Sequence, residues 1–291
     1  MVNKAVILAG GRGTRFLPYT KACPKEMFAL SDKPVLHYIV DEVVRAGIKD
    51  ILIIISPEKE LIKKYFSHDE RLNNFLISNK KDVELEKVLA VENMANITFA
   101  VQTIAKGSGD ALLMAEKFAN GEALAVLNAD DVMRTAKDLP VVLKQIVDCY
   151  SRHNTSVLAV QEVPPEIVVK CGAISIVEQN GRDIKIDKVV EKPKLEDAPS
   201  HYVTLGRYVV SPDYFSVLKR TPLAKNGELN LTDALNIMAI ENGLYAYLFE
   251  GKRYDMGNKL GCFEAMVDFA LSDEETGDGA MEILKSVLNE V

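Results

Sequence analysis

The chain has 291 residues, 48% of them hydrophobic, and a formal net charge of −7, a length and composition that can bury a large core and predict one domain with excursions. No Lys/Arg-rich block appears and no apolar run approaches the ~20 residues of a membrane span, so neither nucleic acid nor a bilayer is an expected partner. The N-terminus opens directly into a strand pattern with no charged leader, which points to a cytoplasmic protein acting on small molecules.

In chain order, KAVILA at 4–9 reads as a short buried strand that ends in glycines, and VLHYIVDEVVRA at 35–46 repeats apolar residues at helical spacing before Gly47. ILIII at 51–55, ITFAV at 97–101 and ALAVL at 123–127 read as further strands, separated by a polar helical stretch from Pro57 and a helix from about Gly109 to Ala119. Continuous apolar strands that alternate with helices predict a doubly wound, mostly parallel α/β sheet covered on both faces. In such a sheet ligands gather at the carboxyl ends of the strands, so the site is expected just after residues 9, 101 and 127.

From about 136 the pattern changes to shorter strand candidates at 155–160, 173–177, 184–190 and 203–210, which predict a mixed-sheet extension. Helices at about 231–241 and 258–271 frame a strand at 244–249, and an acidic linker at 272–279 leads into a terminal helix suited to docking on a partner subunit. The expected division is a nucleotide-binding half at about 1–135, a second half at about 136–271 and a C-terminal linker and helix at 272–291. Cys23, Cys149, Cys171 and Cys262 are scattered and read as free thiols, and no zinc-hydrolase or serine-hydrolase pattern surrounds His37, His68, His153 or His201.

LAGGRGTRFLPYTKACPKEM at 8–27 leaves the first strand through Gly10, Gly11 and Gly13, where backbone amides can approach a polyphosphate without a Cβ in the way. Arg15 and Lys25 add fixed positive charge to that loop. It is not a Walker A loop, because Gly-x-x-x-x-Gly-Lys-Ser/Thr is missing. The dinucleotide fingerprint fails as well: Phe16 stands where a third small residue belongs, Pro18 obstructs a helix, and the second strand ends at Ser56 without a ribose-binding acid.

AGGRGTRFLP, TKACPKEM and DKPVLHY together resemble the signature of the sugar nucleotidyltransferases, and the PKEM form is similar to their bacterial UTP–glucose-1-phosphate uridylyltransferase branch. VQTIAKGSGDAL, LNADDV, CGAI, VVEKPK, LGRYVVS, GELNLTDAL and KRYDMGNKLGC follow in the family's order, so the resemblance spans nearly the whole chain. It implies a Rossmann-like core with a sugar-binding extension, UTP and glucose 1-phosphate as substrates, Mg2+ as cofactor, and a homodimer or homotetramer. The implied chemistry is in-line attack of a sugar-1-phosphate oxygen on the α-phosphorus of the nucleotide, with pyrophosphate leaving. Such a reaction asks for cations, a metal ion and backbone donors more than for a general base.

By the same resemblance, Arg15 and Lys25 contact the triphosphate, Ala9, Gly10, Gly11, Gly13 and Thr14 line the nucleotide pocket, and Glu26, Gln102 and Gly107 complete nucleotide recognition. Gln102 ends a strand, where its amide can read a pyrimidine edge with one donor and one acceptor. Asp130 and Asp255 are assigned to magnesium, which takes one or two carboxylates plus substrate phosphates, while Asp131 reads equally as a cap or turn residue. Asp130, Gly172, Glu191, Lys192 and Gly206 are assigned to the sugar phosphate, and Thr232 and Asp233 to a helix cap behind it. AGGRGTR, Ala29, NADD and Asp110 depart from the uridylyltransferase pattern, Asp110 standing where a histidine is common. These departures leave a glucose-1-phosphate thymidylyltransferase as the nearest alternative, and a nucleotide-sugar-binding subunit without turnover as the alternative of another class.

Overall fold

The computed structural model describes residues 2–290. β1 (Lys4–Ala9) runs into a loop with a two-residue ribbon, β2 (Ala29–Leu30) and β3 (Lys33–Pro34), then α1 (Val35–Arg45) and β4 (Asp50–Ile55). Next come α2 (Glu60–Phe66), α3 (Glu70–Ser78), α4 (Asp82–Glu92), β5 (Asn96–Val101), α5 (Ser108–Leu113), α6 (Glu116–Ala119) and β6 (Leu124–Asn128). The remainder is β7 (Asp131–Arg134), α7 (Val142–His153), β8 (Val157–Glu162), α8 (Pro165–Val168), β9 (Gly172–Asn180), β10 (Asp183–Glu191), β11 (Tyr202–Val210), α9 (Tyr214–Arg220), α10 (Leu231–Glu241), β12 (Leu244–Leu248), β13 (Lys252–Asp255), α11 (Lys259–Ser272) and α12 (Gly277–Asn289).

Nine strands form one sheet in the order β5-β4-β1-β6-β11-β8-β12-β10-β9. β5, β4, β1 and β6 are mutually parallel, and β11 pairs antiparallel with both β6 and β8, so the sheet turns from parallel to mixed where the second half begins. Successive side chains of a strand face opposite sides. Accordingly Ala5, Ile7 and Ala9 of β1 pack with α1 and α7, while Val6 packs with α5, α9 and α10. This is the doubly wound arrangement predicted from sequence. Ile51, Ile53, Ile54 and Ile55 of β4 are 0% exposed, and each such side chain contributes about 1.5–3 kcal/mol by leaving water.

Several elements differ from the expectation. The helix foreseen from Pro57 is broken into α2, α3 and α4: the Asp69 carboxylate accepts from Leu72 N at 3.0 Å and restarts the chain as α3, and Lys80, at φ 53°, turns it into α4. The helix foreseen over 109–119 divides into α5 and α6. β9 and β10 are nine residues each, longer than expected, because they pair with one another along their exposed outer ends, where no apolar run marks the strand. α7, β7 and β13 were not foreseen. The α7 core positions Val142, Leu143, Ile146, Cys149 and Tyr150 do follow helical spacing. β7 and β13 are four residues each, too short for any periodicity to mark them. Among the described residues no helix is long and apolar enough to cross a membrane.

Candidate active site

Because β1, β4, β5 and β6 are parallel, the segments that leave their carboxyl ends share one edge of the sheet. The glycine loop after Ala9 is held there from below by Lys59, which is only 3% exposed. Its ammonium donates to Ala9 O at 2.5 Å, Gly11 O at 2.6 Å and Glu26 Oε1 at 2.8 Å, so its three donors meet three acceptors. Burial pushes the Glu26 carboxyl pKa up and the Lys59 ammonium pKa down, each partly countered by the other's charge. Glu26 is 1% exposed, so the structure places it beneath the loop as the partner of Lys59 and not on the open wall of a nucleotide pocket. Lys59 itself was missed from sequence; it follows the carboxyl end of β4, where the strand-end rule applies as it does after β1, β5 and β6.

A cavity of about 430 Å³ opens beside this loop and is lined by Arg12, Thr14, Lys21, Lys25, Glu58 and Lys59 among others. Arg12 and Lys21 therefore join the foreseen Lys25 and Thr14 in a predominantly cationic cradle of the kind a triphosphate needs. Gly13 has φ 65°, a conformation that favours glycine, and its carbonyl accepts from Thr20 Oγ1 at 2.9 Å. Gln102 follows β5, and its amide Oε1 lies 3.2 Å from where a Cβ on Gly10 would sit. The same amide donates through Nε2 to Asp110 Oδ2 at 2.8 Å. Gly107, at φ 101°, leaves room for the backbone of Leu229, into which a Cβ would run. Its glycine requirement thus comes from packing the loop of 103–107 against the segment before α10.

The acidic centre is assembled by the β7–β13 ribbon, whose register sets Asp131 opposite Asp255. Met256 N donates to Asp130 O at 2.8 Å, which locks the two turns together. The position a Cβ on Gly257 would occupy is 2.9 Å from Asp255 Oδ1 and 3.4 Å from Asp130 Oδ2, so both carboxylates face one small space that glycine leaves open. Lys25 Nζ lies 2.5 Å from Asp130 Oδ2, and Arg15 Nη1 donates to Gly257 O at 3.1 Å. Burial pulls the Lys25 ammonium down, but Asp130, Glu26 and Asp131 outweigh it and hold its pKa above the ordinary value. Burial raises Asp130, yet Lys25 and Arg253 overcome it and its pKa is lowered. Asp131 is buried and takes Arg253 Nε at 2.5 Å. It also meets the space at Gly206, where φ is 61° and a Cβ would collide with its carboxylate. Asp131 is therefore a structural member of the centre, neither a helix cap nor a free ligand, and Gly206 makes room for it and for Asn128 instead of for a sugar.

Behind this centre lies Arg207, 0% exposed. It pairs with Glu42 Oε2 at 2.8 Å and donates to the carbonyl oxygens of Asp131 at 2.6 Å and Asn128 at 3.3 Å. On the far side a second cavity of about 400 Å³ is lined by Glu191, Lys192, Asn128, Tyr208, Asn230 and Asp233 among others. Glu191 and Lys192 are exposed to it, while Lys192 N is tied to Cys171 O at 3.0 Å. Gly172 is buried under Thr204, Val189 and Glu191, so it serves the packing of the β9–β10–β11 junction and does not open onto the cavity. Thr232 and Asp233 open α10, and Asp233 accepts from Asn230 Nδ2 at 3.0 Å.

Two other features lie apart from these residues. A cleft of about 860 Å³ is lined by His37, Lys64, Tyr65, Val88 and Glu92 and holds none of the foreseen site residues. Cys149, His153 and Asp183 offer ligand atoms within 4.8 Å of one another, but Asp183 is held by Arg152 at 3.0 and 2.6 Å and by His153 at 2.6 Å, which makes it an ion-pair cluster. The four cysteines are free thiols, as expected.

The doubly wound sheet carries a glycine-rich loop at the carboxyl ends of its parallel strands, and the chain belongs to the nucleotidyl transferase family, whose model matches residues 4–271. It is 40% identical over 286 residues to the UTP–glucose-1-phosphate uridylyltransferase 2 of Staphylococcus saprophyticus, covering 98% of both chains. It is also 40% identical over 288 residues to the UTP–glucose-1-phosphate uridylyltransferase of Bacillus subtilis, covering 99% of this chain and 98% of that one. The UTP-bound UGPase of Acinetobacter baumannii superposes with a TM-score of 0.90 at 29% identity, over 99% of each chain.

Proposed function

We infer that the protein transfers a uridylyl group from UTP to α-D-glucose 1-phosphate, giving UDP-glucose and pyrophosphate. The observation that carries this is the Lys25–Asp130 contact, at 2.5 Å, standing between the cationic cradle and the polar cavity with Asp255 across the Gly257 space. A reaction that joins two polyanions needs its charge-neutralising groups at the junction of two sites. The triphosphate occupies the cradle with its base beside Gly10 and Gln102, and the sugar phosphate occupies the cavity, where Glu191 accepts from sugar hydroxyls and Lys192 pairs with phosphate. Lys25 and Arg15 then face the reacting phosphorus and stabilise charge there.

Asp130 and Asp255 suit a hard divalent cation, because two carboxylate oxygens converge on one open space, and Mg2+ is the proposed occupant. When bound it supplies charge neutralisation for the phosphates. A homodimer or homotetramer is supported by α12, which has no buried residue and exposes Met281, Ile283, Val287 and Leu288. The protein acts in the cytoplasm, and halves 1–135 and 136–271 form one catalytic unit, which the sheet running through both supports.

The test is pyrophosphate release with magnesium, glucose 1-phosphate and each of UTP, dTTP, ATP, CTP and GTP. Preference for UTP is expected. Preference for dTTP moves the chain to the thymidylyltransferase reading, and ligand-induced stabilisation without turnover moves it to a binding subunit.

A further inference from the structure

Gln102 and Asp110 form a pair that the transfer chemistry does not use. Gln102 leaves the end of β5 with its amide Oε1 against the Gly10 position, at 3.2 Å from a Cβ there, and its Nε2 donating to Asp110 Oδ2 at 2.8 Å. Asp110 lies in the first turn of α5, which is tied to the segment before α10 by Gly109 N donating to Leu229 O at 2.8 Å. A side-chain amide is nearly symmetric in shape and can rotate end for end, exchanging acceptor and donor. A carboxylate accepts only, so Asp110 permits one of the two orientations: nitrogen toward α5, oxygen toward the glycine loop.

We propose that Asp110 is the positioning residue that sets base specificity, by locking the Gln102 amide so that it reads the imide edge of uracil and rejects cytosine. The inference rests on the uridylyl reading above. Uracil presents an N3–H donor flanked by carbonyl acceptors, which matches an amide whose oxygen and remaining N–H are fixed in place. Cytosine presents an unprotonated N3 and an amino group, so the same fixed amide meets donor with donor and acceptor with acceptor, and accommodating it requires the flip that Asp110 forbids. A site whose polar groups are left unpaired by the wrong substrate discriminates strongly. Thymine shares the imide edge of uracil, so Asp110 does not distinguish the two.

The test measures kcat/KM for UTP, dTTP and CTP in the wild type and in Asp110→Asn and Asp110→Ala. Asparagine keeps the shape and can accept or donate, which frees the amide to flip; alanine removes the partner altogether. The expected result is a fall of about tenfold or more in the UTP:CTP ratio for both variants, with the dTTP:UTP ratio and the KM for glucose 1-phosphate unchanged. If the wild type prefers UTP and both variants keep its UTP:CTP ratio, or lose activity equally with all three nucleotides, Asp110 is merely structural and the inference is overturned. A wild type that prefers CTP or a purine triphosphate overturns the uridylyl reading, and the inference with it.

Discussion

Lys25 Nζ sits 2.5 Å from Asp130 Oδ2, so the cation proposed for the triphosphate is paired with a carboxylate proposed for the metal. On the proposed roles, binding exchanges one ion pair for two: Lys25 with the triphosphate, Asp130 with a divalent cation. Lys25→Met removes the cation and leaves a half-buried carboxylate without its partner. Turnover is expected to fall about 10²–10³-fold, as for loss of one preorganised charge-stabilising group, while Mn2+ binding measured by titration calorimetry becomes tighter. Weaker Mn2+ binding in the variant would contradict the exchange.

Removing Asp255 acts on the same centre from the other strand of the ribbon. Asp255→Asn keeps the shape and the contact from Gly257 N, which approaches Asp255 Oδ1 at 2.8 Å, but takes away a ligand charge. Folding should be preserved and turnover at limiting magnesium sharply reduced, with partial recovery at high magnesium. Near wild-type rates at limiting magnesium would remove Asp255 from the metal assignment.

Lys59→Met tests the support beneath the glycine loop. It frees the Ala9 and Gly11 carbonyls and strands the Glu26 carboxylate, now 1% exposed, without its counter-ion. Breaking one member of a buried pair typically costs about 3–5 kcal/mol. Denaturant titration should show that loss, and the double variant Lys59→Met/Glu26→Leu should recover part of it, because no buried charge is then left unpaired.

Acid stability is expected to depend on Asp183. The hydrogen bond from Arg152 holds its carboxyl below the ordinary value of 3.8, with further help from His153 and in spite of some burial. A carboxyl whose pKa is depressed in the folded state contributes stability that is present above the ordinary value and is lost as pH falls through the folded one. The melting temperature of the wild type should thus fall more steeply below about pH 4 than that of Asp183→Asn, which should also start lower at pH 7. Parallel curves would remove the ion pair from the acid limb.

Gly206→Ala should be among the most damaging small substitutions in the chain. Its backbone stands at φ 61° and its missing Cβ leaves the space that the Asp131 carboxylate fills. Strain of this kind costs about 1–3 kcal/mol before the collision is counted. Chemical denaturation reads the loss directly, and turnover should fall with it because Asp131 directly follows Asp130.

The parallel half of the sheet was legible because its strands read as unbroken apolar runs: residues 4–9, 51–55, 97–101 and 123–127 correspond to β1, β4, the half-buried edge strand β5 and β6. Their order also brings the candidate residues Gly10, Gln102 and Asp130 to one edge, since all three follow those strands. The motifs carried the identities of Arg15, Lys25, Asp130, Asp255, Glu191 and Lys192 as candidates, which local chemistry makes suitable for phosphate, metal and sugar.

What the chain alone left open are relationships across long separations. Nothing near Lys59 says that it will hold the carbonyls of Ala9 and Gly11, and nothing near Arg207 says that it will be fully buried against Glu42. Nor does spacing reveal that Asp131 will fill the gap at Gly206, or that Asp110 will orient Gln102. Backbone pattern is written locally by the period of apolar residues, whereas the partner of a buried charge is decided by which strands become neighbours. A buried ion must find a counter-ion or hydrogen bonds wherever the fold brings them, and only the assembled sheet determines where that is.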